Sequence, residues 1–363
     1  MNHINNIEIK NFKSIRHQKI EDCRRVNVFI GYPNVGKSNI LEALSVFSIN
    51  EANVDFSAFI RMENFTTLFY DGEINQPAEI KINKRHRVIV RFINEVLAFE
   101  QQFEREGTSF EKEDSRIKNV EPQIILSSQD ISRGKSFQLD EKDKQILNFN
   151  LRSIRRQDEL AEVRKYQFLK HTKFISKGYS SLSYPFGDNI FNIISTNKDL
   201  KKEVANLFKP YNLELLYDTR LQEFTISKRT ESGIFSIPYT LIADTIQRLI
   251  FYKAAILSNK EKVLLFEEPE AHMFPPYVKK FTSDVIFDDA NQFFIATHSP
   301  YVLNEFIEEV AEDLAVYIVD YDKGETIIKR LNQNELLEVA QYGIDLFFNL
   351  ETYLDKNVQS HSA

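Results

Sequence analysis

The chain predicts an α/β fold with a mostly parallel central sheet, and three observations carry that prediction. Val26-Asn27-Val28-Phe29-Ile30, Val263-Leu264-Leu265-Phe266 and Phe293-Phe294-Ile295-Ala296 are nearly continuous apolar runs, the pattern of strands buried on both faces. About 25 residues separate the last two, enough for a crossover helix. The first run stops abruptly at Gly31, and beyond a short loop Ser38-Asn39-Ile40-Leu41-Glu42-Ala43-Leu44 has apolar residues at helical spacing.

The remaining elements follow in order. Ile7-Glu8-Ile9 alternates as a strand, and between Glu79 and Phe92 the residues Ile80, Ile82, Val88 and Val90 alternate with basic ones, giving two half-buried strands. From about Asn94 to Asp114 the pattern reads as polar and helical, with Pro122 to Leu126 a short strand inside a charged stretch that runs to Arg156. Tyr184-Pro185-Phe186-Gly187-Asp188 signals a turn, with a helix from Asn189 to Ser195 beyond it. Strands are expected at Leu213 to Tyr217 and Phe224 to Ser227, and Pro238 opens an apolar-periodic helix from Leu241 to Leu257. Asp322-Lys323-Gly324 reads as a hairpin turn between Val316 to Val319 and Thr326 to Ile328. The expected organisation is an N-terminal lobe over 1–83, an inserted α+β region over 84–184, and a C-terminal lobe over 185–363.

Composition bounds the function classes. With 42% hydrophobic and 27% charged residues the chain is a folded soluble protein, neither disordered nor collagen-like. A single cysteine, Cys23, excludes disulfide frameworks and four-cysteine zinc sites and points to a reducing cytoplasm. The amino terminus lacks the pattern of a secretory signal, and nowhere do 18 apolar residues run together, so no membrane role is expected. The net charge of −7 averages unlike regions. Lys81 to Arg91 holds five basic residues and no acidic one, whereas Glu261 to Asp322 holds fourteen acidic and three basic.

Gly31-Tyr32-Pro33-Asn34-Val35-Gly36-Lys37-Ser38 satisfies G-x-x-x-x-G-K-[ST] and sits where the motif must, after a buried strand and opening a helix. Its backbone N–H groups and the helix amino terminus hold phosphate oxygens, Lys37 reaches the β/γ-phosphates and Ser38 ligates Mg²⁺. Gly31, Asn34, Gly36, Lys37, Ser38 and Asn39 are therefore the candidate ATP-binding residues. Glu267-Glu268-Pro269-Glu270 ends the second apolar run, where strand ends meet a nucleotide in α/β sheets. The first carboxylate is suited to a place near Mg²⁺ and the second to orienting or deprotonating the attacking water, the alternative being a solvated acidic turn. His298, in Thr297-His298-Ser299-Pro300 after the third run, is a candidate contact to the terminal phosphate; a lone histidine after a strand is more often structural.

Together with Ile7-Glu8-Ile9-Lys10-Asn11-Phe12-Lys13-Ser14-Ile15 and Ala296 preceding the histidine, these segments resemble the ABC-class P-loop ATPases of the RecF, SMC and OLD group over roughly 1–83 and 185–345. The resemblance implies an ABC-ATPase head in which Lys37 and Ser38 bind nucleotide and metal. It places Glu267 at the usual Asp position near Mg²⁺, makes Glu268 the catalytic base, and makes His298 the switch histidine. In this class two heads pair around two ATP molecules, each held also by the partner's signature helix. The equivalent stretch, Ser236 to Asp244, lacks the usual glycine, leaving Ser236 or Thr240 for the signature serine, and Gln76 and Gln123 are candidates for the lid glutamine.

One cysteine excludes a zinc hook, the insertion is too short for SMC coiled-coil arms, and with 65 residues after His298 no Toprim nuclease domain is expected in this chain. The expectation is an ATPase subunit that hydrolyses ATP and assembles with itself. It would sense DNA or a foreign factor and control a separate effector, a nuclease, resembling stand-alone OLD-like ATPases of anti-phage defence. Two alternatives stay open: a RecF-like DNA-repair ATPase acting on DNA, and a nucleotide-gated scaffold with little turnover.

Overall fold

The computed structural model describes residues 3–49, 58–93, 96–103, 124–127, 162–171, 174–175, 180–218, 220–231 and 233–355. The chain forms two compact units, one of Met1–Val163 with Asp313–Ala363 and one of Arg164–Glu312. The elements run β1 (Ile7–Phe12), β2 (Ile15–Ile20), β3 (Val26–Ile30), α1 (Lys37–Ser45), β4 (Ala78–Ile82), β5 (His86–Ile93), β6 (Val96–Phe103), β7 (Ile124–Ser127) and β8 (Val163–Tyr166). There follow α2 (Ile190–Thr196), α3 (Lys198–Phe208), β9 (Glu214–Asp218), β10 (Glu223–Thr230), β11 (Gly233–Pro238) and α4 (Asp244–Leu257). After these come β12 (Val263–Glu267), α5 (Pro275–Ile286), β13 (Gln292–Ala296), α6 (Pro300–Val310), β14 (Leu314–Asp322), β15 (Glu325–Arg330), α7 (Gln333–Tyr342) and α8 (Leu350–Asp355).

In the first unit, an antiparallel sheet has the order β2-β1-β4-β5-β6-β7. Alternation explains it: Ile7 and Ile9 of β1 are buried and stand opposite Ile82 and Ile80 of β4, so one face of the pair is apolar. Residue 84, the expected start of an insertion, lies in the turn between β4 and β5, where Asn83 and Lys84 both take positive φ. The helical reading of Asn94 to Asp114 is corrected over Val96–Phe103, which is β6. Leu97 and Phe99 are buried and stand opposite Phe92 and Val90 of β5. Pairing with an existing sheet edge here outweighs the helix preference of Ala, Glu and Gln. Residues 104–123 lie outside the described set.

The same unit carries β3, whose five residues are all buried, in parallel with β14, so that Val26, Val28 and Ile30 face Leu314, Val316 and Ile318 along the ladder. β14 turns through Lys323 and Gly324, both at positive φ, into antiparallel β15. That hairpin is the one expected from Asp322-Lys323-Gly324.

In the second unit β12 and β13 pair in parallel, from Val263 opposite Gln292 to Glu267 opposite Ala296. Packed aromatic rings fill the space beneath them: Tyr252 of α4 lies 5.3 Å from Phe266 and 5.6 Å from Phe281 of α5. The helix expected from Leu241 begins later, at Asp244, because Tyr239–Leu241 forms a separate 3₁₀ turn. A small antiparallel sheet, β11-β10-β9, precedes it. No helix among the described residues is long and apolar enough to cross a membrane.

Candidate functional site

β3 delivers the chain into the phosphate loop, and two glycines there are required by geometry. A Cβ on Gly31 would lie 2.1 Å from the Val319 carbonyl oxygen, and one on Gly36, at φ +105°, would lie 2.2 Å from Thr326 Oγ1. Asn34 takes a left-handed φ of 64°, which its short polar side chain tolerates. Helix α1 starts at Lys37 directly after Gly36, with no side-chain cap and no acidic residue in its first turn. With no side chain over it, the positive end of the helix dipole faces the loop, where an anion is stabilised. Lys37, almost fully buried, folds back so that Nζ donates to the carbonyl oxygens of Gly31 at 3.0 Å and Tyr32 at 2.7 Å. Ser38 follows it in the first turn of α1, half-buried. The donors suit a triphosphate, and a serine hydroxyl is the hard oxygen ligand that Mg²⁺ prefers.

The loop is braced from two sides that sequence spacing does not reveal. Thr326 Oγ1 donates to Val35 O at 2.8 Å, and a hydrogen bond of 2.6 Å joins it to Ser14 Oγ. Asn39 Nδ2 donates to Ser14 Oγ at 2.6 Å, so this residue, read as nucleotide-binding, spends its amide on the β1–β2 turn. Further along α1, Glu42 is fully buried and accepts from Arg61 Nε at 2.6 Å and from Lys13 Nζ. Lys13, Ser14, Arg61, Thr67 and Tyr321 line an open cavity of about 720 Å³ in this unit. Glu63 and Asp71 line it too, so its wall carries both signs of charge.

In the second unit β12 ends at half-buried Glu267, one of the acidic residues of the strand-end cluster, with a hard carboxylate donor suited to Mg²⁺. Glu268 follows at a φ of 43°, and its N–H donates to Ala296 O at 2.8 Å, tying the end of β12 to the end of β13. Its carboxylate is exposed and Oε1 stands 3.5 Å from Nε2 of half-buried His298. The structure therefore brings the expected base and the expected switch histidine into one pair. Glu270, to which the sequence assigns no task, accepts from Thr297 Oγ1 at 2.6 Å and from the His298 N–H at 3.1 Å. Burial pushes its carboxyl above the usual carboxylate range, opposed by those hydrogen bonds.

The signature candidates fall elsewhere than at a helix start. Ser236 lies within β11 opposite Ser227, Thr240 lies in the 3₁₀ turn, and Ala243 precedes the first residue of α4. Gln76 lies in the turn before β4, where its carbonyl oxygen accepts from Asn11 Nδ2 at 2.8 Å, and Gln123 lies outside the described residues.

A family model described as "AAA domain, putative AbiEii toxin, Type IV TA system" matches residues 26–304, which span the phosphate loop, the acidic strand end and the histidine. The chain belongs to this family. An uncharacterized protein of Methanocaldococcus jannaschii, MJECL10, is 36% identical over 98 residues, 26% of this chain and 44% of that protein. The chain thus spans less than half the length of that relative. An SMC head bound to the C-winged helix domain of ScpA superposes with a TM-score of 0.54 at 13% identity, covering 92% of this chain and 99% of that one. The SMC head with extended coiled coil from Pyrococcus furiosus, bound to the C-terminal domain of ScpA, gives 0.48 at 14% identity over 94% and 99%. By the superposition at 0.54 and the family match, this AAA-domain protein has the α/β P-loop fold of an SMC-type ATPase head.

Proposed function

We propose that the chain is a Mg²⁺-dependent ATP-hydrolysing subunit whose nucleotide-driven self-assembly controls a separate effector protein, a nuclease in cytoplasmic anti-phage defence. The observation that carries the nucleotide reading is the uncapped start of α1 behind two glycines that admit no Cβ. The loop N–H groups and Lys37 hold the phosphates, with Gly31, Asn34 and Gly36 shaping the cradle. Ser38 and Glu267 supply oxygen ligands, and the bound metal would neutralise charge on the phosphate oxygens. Glu268 accepts a proton from the attacking water or orients it, and His298 reads the terminal phosphate. A protein partner is supported by analogy with the SMC heads, whose structures hold ScpA domains.

Direct action on DNA draws less support. Lys81 and Arg87, two members of the basic run, are engaged by Glu79, Arg87 Nη2 at 2.5 Å, and Lys81 also lies 3.8 Å from Glu8. Lys37→Ala should abolish ATP binding, whereas Glu268→Gln should bind ATP and lose at least about 100-fold in turnover. Wild-type turnover by the Gln variant would refute the base assignment. Specific activity that rises with protein concentration, and a nuclease captured by Glu268→Gln in ATP, would support assembly and effector. Salt-sensitive, ATP-dependent binding to duplex DNA would favour the RecF-like alternative.

A further inference from the structure

Glu270 lies three residues beyond Glu267 and has no part in the proposal above. The carboxylate head is enclosed, with Oε2 buried and lacking a hydrogen-bond partner among the described residues. Its side-chain hydrogen bonds converge on Oε1, which takes the Thr297 hydroxyl and the His298 N–H. Thr297 is itself fully buried. Its hydroxyl has one proton, directed at Glu270, and its lone pair accepts the Ser299 N–H at 3.0 Å. One carboxylate oxygen thereby orients residues 297–299, the whole corner between β13 and α6. The Glu268 N–H bond to Ala296 O holds the facing strand end, and the Glu268–His298 contact of 3.5 Å sits between these ties.

We propose that Glu270 is a positioning residue: by accepting two hydrogen bonds from the β13–α6 corner it fixes the imidazole of His298 opposite Glu268. The proposal rests on the reading of Glu268 and His298 as the hydrolytic pair. It requires an acceptor at Oε1 and no charge, so an amide serves in its place while a methyl group does not.

Two measurements on the full chain test it. In nucleotide-free protein, hydrogen exchange at the His298 amide should accelerate by about tenfold or more in Glu270→Ala and stay within about threefold of wild type in Glu270→Gln. In turnover, Glu270→Ala should lower kcat by at least about tenfold while the ATP Kd stays within about threefold, and Glu270→Gln should restore kcat. Thr297→Val should reproduce the kcat loss, Thr297→Ser should not, and the Glu270→Ala/Thr297→Val double variant should be no worse than either single one. Unchanged His298 exchange in Glu270→Ala overturns the proposal, as do wild-type kcat in that variant and additive losses in the double variant. So does a Thr297→Val protein that keeps its kcat, the decisive result if Glu270→Ala fails to fold. Turnover retained by Glu268→Gln would sink the hydrolytic reading instead, and the exchange result would still decide what Glu270 holds.

Discussion

Gly36→Ala tests the phosphate loop most directly. The added methyl would lie 2.2 Å from Thr326 Oγ1, 2.8 Å from Ser14 Oγ and 3.0 Å from Thr326 Cγ2, on a backbone at φ +105°. Holding an alanine there costs about 1–3 kcal/mol of backbone strain. The threonine must also retreat, breaking its hydrogen bonds to Val35 O and Ser14 Oγ, at about 0.5–1.5 kcal/mol each. The combined destabilisation is about 2–6 kcal/mol, read from the urea midpoint of the full chain. Gly72→Ala is the control, since Gly72 has φ +72° and nothing within 4 Å of an added methyl, so only strain applies. Because the displaced N–H groups are those aimed at phosphate, ATP affinity should fall at least about 100-fold in a fluorescent-nucleotide titration. Adding Thr326→Ala removes the colliding atoms, so the double variant should be less unstable than the two single losses added together. Equal losses for Gly36→Ala and Gly72→Ala, or strict additivity with Thr326→Ala, would refute the steric reasoning.

Three further predictions concern the first unit. Burial, then the neighbouring Arg85, depresses His86 to about 4, so the unfolded chain binds the extra proton first; stability should be greatest above about pH 6.5 and, with the linkage figure of about 3 kcal/mol reduced by solvent screening, fall by about 2 kcal/mol as pH drops toward 4. Urea midpoints over that range should show the slope, and His86→Gln should flatten it. Glu42→Ala strips a fully buried carboxylate from Lys13 and Arg61 and should cost about 3–5 kcal/mol; a loss below about 1 kcal/mol would show the cluster to be solvent-relaxed. Burial pushes the Cys23 thiol to about 12, so a disulfide reagent at pH 8 should label it only on unfolding, and rapid labelling of the native chain would contradict its enclosure.

What is legible in the chain is local. The phosphate loop, the buried runs of β3, β12 and β13, and the Lys323-Gly324 turn each declare themselves within a few residues, because burial on both faces and tight turns restrict residue type. β6 reads as helix because its polar residues mask the alternation of Leu97 and Phe99, which only β5 makes meaningful. β11 escapes the sequence for a different reason: Ile234 and Phe235 are exposed on a sheet edge, so no inward pattern exists to read. The Glu42 cluster joins residues 29 and 19 positions away, and the brace on the loop spans 312 between Ser14 and Thr326, distances over which periodicity carries no information.

That brace has a consequence for the timing of synthesis. Val35 and its threonine are 291 positions apart, so at about 5–20 residues per second the ribosome needs about 15–60 s to supply the second after the first. The β14 partner of β3 is made in the same late interval. Chains still being translated therefore carry the full motif without the wall that sets its shape. If the loop captures nucleotide as proposed, capture and the assembly it drives should wait until the β14–β15 hairpin has been made. Half-made copies would then be unable to join finished ones through an ATP-loaded loop.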